Sequence, residues 1–305
     1  MRVMVTGATT PLGAAIIDHL LDGCDVDHVL AVGREPEGPL RDKRITYRRA
    51  DLCRSREVHD LVWGQARDLD IATVIHACQH RGAHDHGPRV HQQNVCSMRD
   101  LLAACANHPT ITRVVVRSFA EVYASRHGTA ELVDENAPLE LAPHAPQWIR
   151  DRVEADLVAC AAPAGPLEVI VLRCAEIVAP DVGSQLWDYL QSRVCVRPLG
   201  FDPMINVLSL EDAAAAFAAA VESAAVGAYN IAGFDTLPLS RAIAEAGRPQ
   251  LPTPTNRGVH FGGMLDGTRA RKDLGYVPRT PVRWPRPWWR TLLERLARLP
   301  AESAS

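Results

Sequence analysis

The first thirteen residues, MRVMVTGATTPLG (1–13), decide how this chain is interpreted. Residues 3–5 form a short apolar run typical of a buried parallel strand, and Gly7 and Gly13 follow closely. Apolar residues then recur at helical spacing over 14–21. A strand, a glycine turn and a helix N-terminus together form an anion site, because free backbone N–H groups and the helix dipole point at the anion. A dinucleotide pyrophosphate is the usual occupant of such a turn.

The glycine pattern, Thr6-Gly7-x-x-Thr10-x-x-Gly13, departs from the usual one at its centre. Gly7 suits the tight turn and Gly13 the close packing of helix on strand, but Thr10 stands where a middle glycine lets the pyrophosphate approach the backbone. We predict dinucleotide binding at this turn; the alternative is a turn retained for packing alone. The predicted cofactor-binding residues here are Gly7, Thr9, Thr10, Leu12 and Gly13.

Composition and charge are those of an ordinary soluble protein. The chain has 305 residues, of which 47% are hydrophobic and 23% charged, and a net charge of −3. This charge offers no broad electrostatic basis for binding nucleic acid, and no apolar run reaches the length of a membrane span. The eight cysteines contain no Cys-x-x-Cys pair and sit mostly in apolar segments. We therefore expect buried thiols and, since no cleaved signal peptide is evident, a cytoplasmic protein.

Strand and helix patterns alternate through the first two thirds of the chain, which predicts an α/β fold with a Rossmann-type, doubly wound parallel sheet. We expect a dinucleotide-binding domain at 1–175, a smaller C-terminal substrate lobe at 176–281 interleaved with late strands of the sheet, and a tail at 282–305. The predicted strands are 2–6, 28–32, 45–48, 72–76, 112–117, 168–172 and 228–231. The predicted helices are 12–22, 54–66, 90–106, 147–161, 184–192, 211–223 and 239–247, and 247–263 is predicted as loop.

With these elements placed, the chain resembles the extended short-chain dehydrogenase/reductases, in particular the NAD-dependent epimerase/dehydratase group. The motifs that carry the resemblance are Ala50-Asp51-Leu52, residues 74–78, Asn94-Val95, Val122-Tyr123, Leu172-Arg173 with Pro180, residues 229–233, and Thr268-Arg269 with residues 274–278. They occur in the family's order over nearly the whole chain. The resemblance implies a Rossmann domain with a small substrate lobe. It also implies cofactor contacts for Asp51, Leu52, Ala77, Cys78 and Asn94.

The positions that carry catalysis in that family are occupied by other residue types. The family uses a Tyr as acid or base, a Lys four residues later, and a Ser or Thr after the fifth strand. Here Phe119 stands at the Ser/Thr position, and the helix supplies Trp148 with Arg152 in one register or Pro146 with Arg150 in another. An indole N–H releases no proton at accessible pH, whereas Arg152 can still hold a ribose or phosphate oxygen. The sequence thus predicts a retained cofactor clamp beside a lost acid/base.

Two other residues are candidates for proton transfer. Glu121 resembles the Glu that does acid/base work in sugar-nucleotide dehydratases of the family, although Ala120 replaces the preceding Asp. His144 lies just before the altered helix, in a loop that resembles one lining the family's substrate cleft. If the protein is an enzyme, we expect reduction, dehydration or isomerisation of an oxygenated small molecule. The competing hypothesis is a catalytically silent binding protein with a regulatory or partner-subunit role.

The residues after the second predicted strand bear on the cofactor. NAD enzymes place an Asp there to accept from the ribose 2′-OH, but here Gly33 takes that place and Arg34 follows. A guanidinium without a carboxylate favours a 2′-phosphate, so we predict NADP. The alternative is NAD, with Glu35 binding the ribose.

Two segments remain without a role. The histidine-rich stretch 80–91 lacks a helical i, i+4 pair or a Cys partner, so we predict no metal. The tail at 282–305 combines Trp, Arg and a leucine face, for which packing on its own domain or on a subunit is favoured over contact with a membrane surface. As partners we expect a small-molecule substrate or ligand and no nucleic acid, and a homodimer is left open.

Overall fold

A computed structural model describes residues 1–38, 42–80, 82, 85–124, 132–161, 165–254 and 263–285. Its strands are β1 (Arg2–Thr6), β2 (His28–Gly33), β3 (Ile45–Arg49), β4 (Thr73–His76), β5 (Arg113–Phe119), β6 (Leu132–Val133), β7 (Glu168–Cys174), β8 (Glu176–Ile177), β9 (Cys195–Pro198), β10 (Met204–Leu208), β11 (Gly227–Ile231), β12 (Asp235–Pro238), β13 (Gln250–Thr253) and β14 (Met264–Leu265). Its α-helices are α1 (Pro11–Gly23), α2 (Ser55–Asp60), α3 (Pro88–His91), α4 (Ser97–Ala106), α5 (Gln147–Cys160), α6 (Gln185–Leu190), α7 (Leu210–Glu222), α8 (Leu239–Glu245) and α9 (Thr268–Asp273).

Seven parallel strands form the main sheet, in the order β11-β7-β5-β4-β1-β2-β3. β1 pairs with β2 on one side and with β4 on the other, so the strand order reverses at β1. In such a sheet a crevice opens beyond the carboxyl ends of the strands on either side of the reversal, and ligands bind there. The predicted α/β Rossmann-type fold is confirmed, and the strands predicted for this sheet lie within two residues of the observed ones.

Two predicted helices contain π-helical segments. The helix predicted at 54–66 is α2 followed by a π-helical turn at Leu61–Ala66. The helix predicted at 90–106 begins earlier, with α3, and passes through a π-helical turn at Gln92–Cys96 into α4. Such turns are frequent at functional sites, and the second one carries Gln93 and Asn94 towards the strand ends.

A second, smaller core lies beyond the main sheet. Its three-stranded sheet has the order β12-β10-β8, and β9 pairs in parallel with β13. The prediction of loop over 247–263 is wrong for Gln250–Thr253, which forms β13, and residues 255–262 lie outside the described part. The segment Gln250–Thr253 is short, mostly exposed and contains Pro252, so it lacks the apolar alternation that identifies a strand. Its pairing with β9 makes it a strand.

The Ala-rich helix α7 packs against α1 on one face of the main sheet. Ala213, Ala216 and Ala220 are fully buried there beside Phe217. Small side chains let the two helices approach closely, and the helix predicted at 211–223 thus forms part of the core.

The described helices include none with the length and apolar character that a membrane span requires. Of the predicted tail, residues 286–305 lie outside the described part. Val282 and Trp284, which precede them, are partly buried against the core of the smaller unit.

Candidate functional site

The turn after β1 has no room for a side chain at either of its two glycines. Gly7 has a φ of 75°, and a Cβ there would lie 3.0 Å from the Cα of Cys78. A Cβ at Gly13 would lie 2.1 Å from the carbonyl oxygen of Gly7. Thr10 caps α1: its Oγ1 donates to the Gly7 carbonyl at 2.8 Å and accepts from the Gly13 N–H at 3.1 Å. The Thr10 side chain, which stands in place of the middle glycine, is thus hydrogen-bonded within the turn.

A cleft of about 280 Å³ opens at the carboxyl ends of β1, β2 and β4. Its lining includes Gly7, Thr9, Thr10, Arg34, Asp51, Leu52 and Cys78 from the predicted cofactor site, together with Val32, Gly33, Glu35, Ala50, Cys53, Gln79, His80 and Gln93. Gln79, His80 and Gln93 were not predicted. Gln79 and His80 follow β4, and Gln93 lies on the π-helical turn. A polar residue type does not by itself indicate that a residue lines a cleft.

The other predicted cofactor residues lie beside the cleft rather than in its lining. The side chains of Leu12 and Ala77 are buried in the core. Asn94 accepts from the backbone N–H of His80 at 2.9 Å through Oδ1, so it holds the loop that lines the cleft. Arg152 lies in a different, buried cluster described below.

The end of β2 explains why a glycine stands where other dinucleotide sites have an Asp. A Cβ at Gly33 would lie 2.6 Å from the Thr9 methyl carbon and 2.8 Å from the Tyr47 hydroxyl. The Glu35 carboxylate also lines this cleft, and it accepts from the Thr9 hydroxyl and, at 3.2 Å, from the Arg34 N–H. Both the predicted cation and the alternative carboxylate therefore line the same cleft.

A second cleft, of about 680 Å³, adjoins the first and is here called the arginine cleft. Arg34, Arg49, Arg54 and Arg89 line it, together with Glu35, Ala50, Asp51 and Glu57. The cations are partly paired already: Arg34 lies 3.8 Å from Asp51, and Arg54 lies 2.9 Å from Glu57. Four guanidinium groups face three carboxylates, which leaves an excess positive charge for an anionic ligand.

The positions that the resemblance assigns to catalysis form a buried cluster. The Arg152 guanidinium carbon lies 3.9 Å from the centre of the Phe119 ring and 5.0 Å from that of Trp148. Arg152 donates to the Glu121 carboxylate and, at 2.5 Å, to the Gly183 carbonyl. The side chains of Arg152 and Glu121 are only 6% and 2% exposed. Arg150, in the other register, is exposed and donates to a loop carbonyl, so α5 presents Trp148 and Arg152 to the site.

Two buried charged residues that were not predicted complete this cluster. Glu176 accepts from the Ser184 hydroxyl at 3.0 Å and from the Leu186 N–H at 3.2 Å. Burial, with the neighbouring Glu121 carboxylate, raises the pKa of Glu176 well above its usual value. Burial lowers the pKa of Arg117 to about 10, and its guanidinium lies 4.5 Å from the Phe119 ring.

Comparison with known proteins identifies the family of this chain. The family model for the NAD dependent epimerase/dehydratase family matches residues 3–232. The chain belongs to that family.

Relatives and solved structures agree with this assignment. An uncharacterized protein of Mycobacterium tuberculosis is 27% identical and is covered over 80% of its length by 91% of this chain. MoeE5, in complex with UDP-glucuronic acid and NAD, has a TM-score of 0.72 at 22% identity, with 92% of this chain and 95% of that chain covered. DesIV, a dTDP-glucose 4,6-dehydratase from Streptomyces venezuelae with NAD and TYD bound, has a TM-score of 0.72 at 21% identity, with 92% and 93% covered. At these identities the structures show the shared fold.

Tyr123, which belongs to one of the epimerase/dehydratase motifs, is buried and hydrogen-bonded. The Tyr123 hydroxyl donates to Asn230 Oδ1 at 2.6 Å and accepts from Arg173 at 3.0 Å. Burial raises the pKa of Tyr123 to about 12, so this phenol stays protonated and forms hydrogen bonds within the core.

The two candidates for proton transfer differ in exposure. His144 is exposed, in the turn before α5, whereas Glu121 is buried. The two proton-transfer candidates are thus in different environments.

The histidine-rich stretch is tied to α5 where it is described. His91 Nδ1 lies 2.9 Å from the Asp151 carboxylate, and Gln147 bonds both backbone groups of Gly87. Arg81, Ala83 and His84 lie outside the described residues. Within the described ones, His, Cys, Asp and Glu side chains form no group that would hold a metal.

Proposed function

We propose that the protein binds NADP(H) in the cleft at the glycine turn, with the adenosine end towards the arginine cleft. The observation that carries this proposal is the turn itself, since Gly7 and Gly13 lie where a Cβ would collide with neighbouring backbone, which keeps the turn tight, and α1 begins directly beside the cleft. Thr9 and Thr10 would hold the phosphates, and Asp51 and Leu52 the adenosine. When bound, this cofactor accepts or supplies a hydride.

The preference for NADP over NAD is supported by charge. At Gly33, the position of the Asp that accepts from a 2′-OH in NAD enzymes, the side chains of Thr9 and Tyr47 lie close to the Cα, and no carboxylate is present. Arg34, which is 41% exposed, lines both clefts, and its contacts are long: 3.8 Å to Asp51 and 3.4 Å to Gln93 Oε1. A phosphate with a guanidinium forms charge-assisted hydrogen bonds that a hydroxyl cannot match.

NAD is the second candidate cofactor, and one observation favours it. The Glu35 carboxylate lies in the cleft and would repel a 2′-phosphate, while it would accept from a ribose hydroxyl.

Fluorescence titration with NADPH and NADH separates the two cofactors. We expect tighter binding of NADPH, and a loss of about tenfold or more in its affinity in Arg34→Met, with NADH unchanged, because about 1.5–3 kcal/mol is typical of a hydrogen bond to a charged group. Arg56→Met is the matched control, since Arg56 is 93% exposed and outside both clefts. Tighter binding of NADH would support NAD, and no response to either would remove the cofactor proposal.

We further propose that the protein reduces, dehydrates or isomerises an oxygenated small molecule without the Ser-Tyr-Lys set. Family membership supports the reaction class, and the buried Glu121 supplies a carboxyl group beside the altered positions. The competing candidate, a catalytically silent binding protein, is favoured by the way Phe119, Trp148 and Arg152 fill those positions.

A substrate panel distinguishes the enzyme from the silent protein. Substrate and product are followed by NMR, with NADPH oxidation as a second readout for a reduction, using nucleotide sugars, acyl thioesters and polyketide-like ketones with the wild type and with the double variant Trp148→Tyr/Arg152→Lys. Turnover by the wild type supports the enzyme. Turnover by the double variant alone supports a silent protein that retains a substrate pocket.

The remaining expectations stay predictions. They are the boundaries at 175 and 281, a cytoplasmic location, and packing of the tail on its own domain or on a subunit rather than on a membrane surface; a homodimer is left open. Liposome flotation of the full chain and of a chain ending at residue 281 tests the placement of the tail.

A further inference from the structure

The arginine cleft takes its cations from two separate parts of the main sheet. Arg34 follows β2 and Arg49 ends β3, whereas Arg89 belongs to α3, in the crossover from β4 to β5. In the sheet, β4 lies on one side of β1, and β2 and β3 lie on the other. Arg89 therefore reaches the cleft from the β4 side of β1, and Arg34 reaches it from the β2 side.

The contacts of two glutamines show which face of this helical segment borders the cleft. Gln92 Nε2 donates to the Cys53 carbonyl at 3.3 Å, and Gln93 Oε1 accepts from the Arg34 guanidinium at 3.4 Å. Arg89 precedes the two glutamines by three and four residues, a spacing that places side chains on one face of a helix. Arg89 is exposed and lines the arginine cleft, as this spacing requires.

The backbone that carries Arg89 is fixed from its other side by α5. Gln147 bonds both backbone groups of Gly87, and His91 Nδ1 lies 2.9 Å from the Asp151 carboxylate, whose side chain is only 5% exposed. Binding of a ligand to Arg89 therefore requires the ordering of one side chain and no movement of α3, which lowers the entropic cost of binding.

The carboxylates beside these arginines are already engaged by other groups. Glu57 accepts from Arg54 through Oε1 and from the Asp51 N–H through Oε2. Asp51 lies 3.8 Å from Arg34 and 4.0 Å from Arg54. Among the residues that the structure describes, no carboxylate forms a salt bridge with Arg89. Its guanidinium group is therefore available to an anion that enters the cleft.

We propose that Arg89, together with Arg34, holds the 2′-phosphate of NADP(H) in the arginine cleft, so that a residue of the β4–β5 crossover sets the preference for NADP. This inference rests on the proposed function, because it needs the dinucleotide at the glycine turn. Arg34 and Asp51 line both clefts, so the ribose of an adenosine beside Asp51 would lie where the clefts meet.

The charge of the cleft is suited to a phosphate only when both cations act. A phosphate monoester offers three oxygens and nearly two negative charges, so it can accept from two guanidinium groups at once, which a 2′-OH cannot do. The second guanidinium also offsets the Glu35 carboxylate, which by itself would repel a 2′-phosphate.

Fluorescence titration of Arg89→Met with NADPH and NADH tests the assignment. We expect the Kd for NADPH to rise by about tenfold or more and the Kd for NADH to stay the same, because only NADPH carries the group that Arg89 binds. Arg56→Met is the matched control, since Arg56 is also exposed but lies outside both clefts.

The possible results separate this inference from the proposed function. If Arg89→Met binds NADPH as the wild type does, or weakens NADPH and NADH equally, the role of Arg89 is overturned and cofactor binding at the glycine turn stands. If the wild type does not bind NADPH, both are overturned.

Reversal of the charge at Arg89 gives a second test. Arg89→Glu should bind NADPH more weakly than Arg89→Met does, because a carboxylate repels the phosphate, and it should bind NADH as the wild type does. Equal affinities of Arg89→Glu and Arg89→Met for NADPH would show that the phosphate does not approach this position.

Hydrogen exchange gives a readout other than affinity. With each cofactor at saturation, NADPH should slow amide exchange in Pro88–His91 more than NADH does, and Arg89→Met should remove the difference. Equal protection by the two cofactors in the wild type would contradict a contact between α3 and the 2′-phosphate.

Discussion

At the scale of the residue, Arg152 has three kinds of partner at once. It pairs with Glu121, donates to a carbonyl and lies over the Phe119 and Trp148 rings. A lysine has neither the planar shape nor the number of donors for all of these contacts. Arg152 therefore holds a buried carboxylate in a way that a lysine could match only in part.

We expect Arg152→Met to destabilise the protein by about 3–5 kcal/mol, because it leaves the Glu121 carboxylate buried without its cation. Urea unfolding measures this change. Arg99→Met is the matched control: Arg99 pairs with Glu154 at 3.1 Å, but the two side chains are 55% and 46% exposed, so the expected loss is below about 1 kcal/mol. Equal losses in the two variants would contradict the account of a buried, dependent charge.

His76 supplies a pH-dependent term at the end of β4. It is fully buried, with Nδ1 2.8 Å from the Thr6 hydroxyl, and burial lowers its pKa to about 4. The folded value lies below the unfolded one, so its stabilising contribution is present above about pH 6.5 and is lost as pH falls towards 4.

The expected loss of stability from this group between pH 6.5 and pH 4 is about 3 kcal/mol. His76→Asn keeps a partner for Thr6 but does not titrate, so chemical denaturation at a series of pH values should show a smaller loss than in the wild type. His59→Asn, a change at an exposed histidine, should leave the pH dependence as it is. An unchanged acid slope in His76→Asn would mean that His76 is not the group responsible.

At the scale of the element, α1 depends on its N-cap residue, Thr10. Thr10 Oγ1 accepts from the Gly13 N–H, and Pro11 occupies the first helical position, where no N–H is needed. The cap therefore orders the same turn that is proposed to hold the phosphates, and its loss should affect both stability and binding.

We expect Thr10→Ala to lower the free energy of unfolding by about 1 kcal/mol and to weaken NADPH binding, while Thr10→Ser retains both. Thermal unfolding and fluorescence titration check the two effects. If Ala and Ser behaved alike, the hydroxyl would have no capping role.

At the scale of the whole molecule, the chain passes repeatedly between the main sheet and the smaller core. It leaves the main sheet after β7, forms β8 to β10, returns as α7 and β11, and leaves again for β12. The two cores therefore share connections at several points, unlike two domains joined by one linker.

We expect the molecule to unfold in a single transition. The fluorescence of Trp187, which packs on the smaller core, and far-UV circular dichroism of the whole chain should then give coincident curves. A variant in which every other tryptophan is replaced by phenylalanine assigns the fluorescence signal to Trp187 alone. Separate midpoints would show that the smaller core unfolds on its own.

The fold class and the glycine turn of the site could be predicted from the sequence because both depend on local patterns. Strand and helix periodicity, the turn from Gly7 to Gly13, and the absence of Tyr and Lys from residues 146–156 are all properties of short segments. The helix predicted over 147–161 is also local, but its two registers could not be separated, since the face that α5 presents depends on what it packs against.

Only the tertiary structure decided the rest. The ion pair of Arg152 with Glu121, the arginine cleft and the parallel pairing of β13 with β9 each join residues far apart in the chain, and they depend on how the fold brings the elements together. The closed space at Gly33 likewise depends on Thr9 and Tyr47 from neighbouring segments. A sequence pattern reports the preference of a segment, whereas the ionisation of a buried carboxyl group or the fit of a phosphate is set by whichever groups the fold brings beside it.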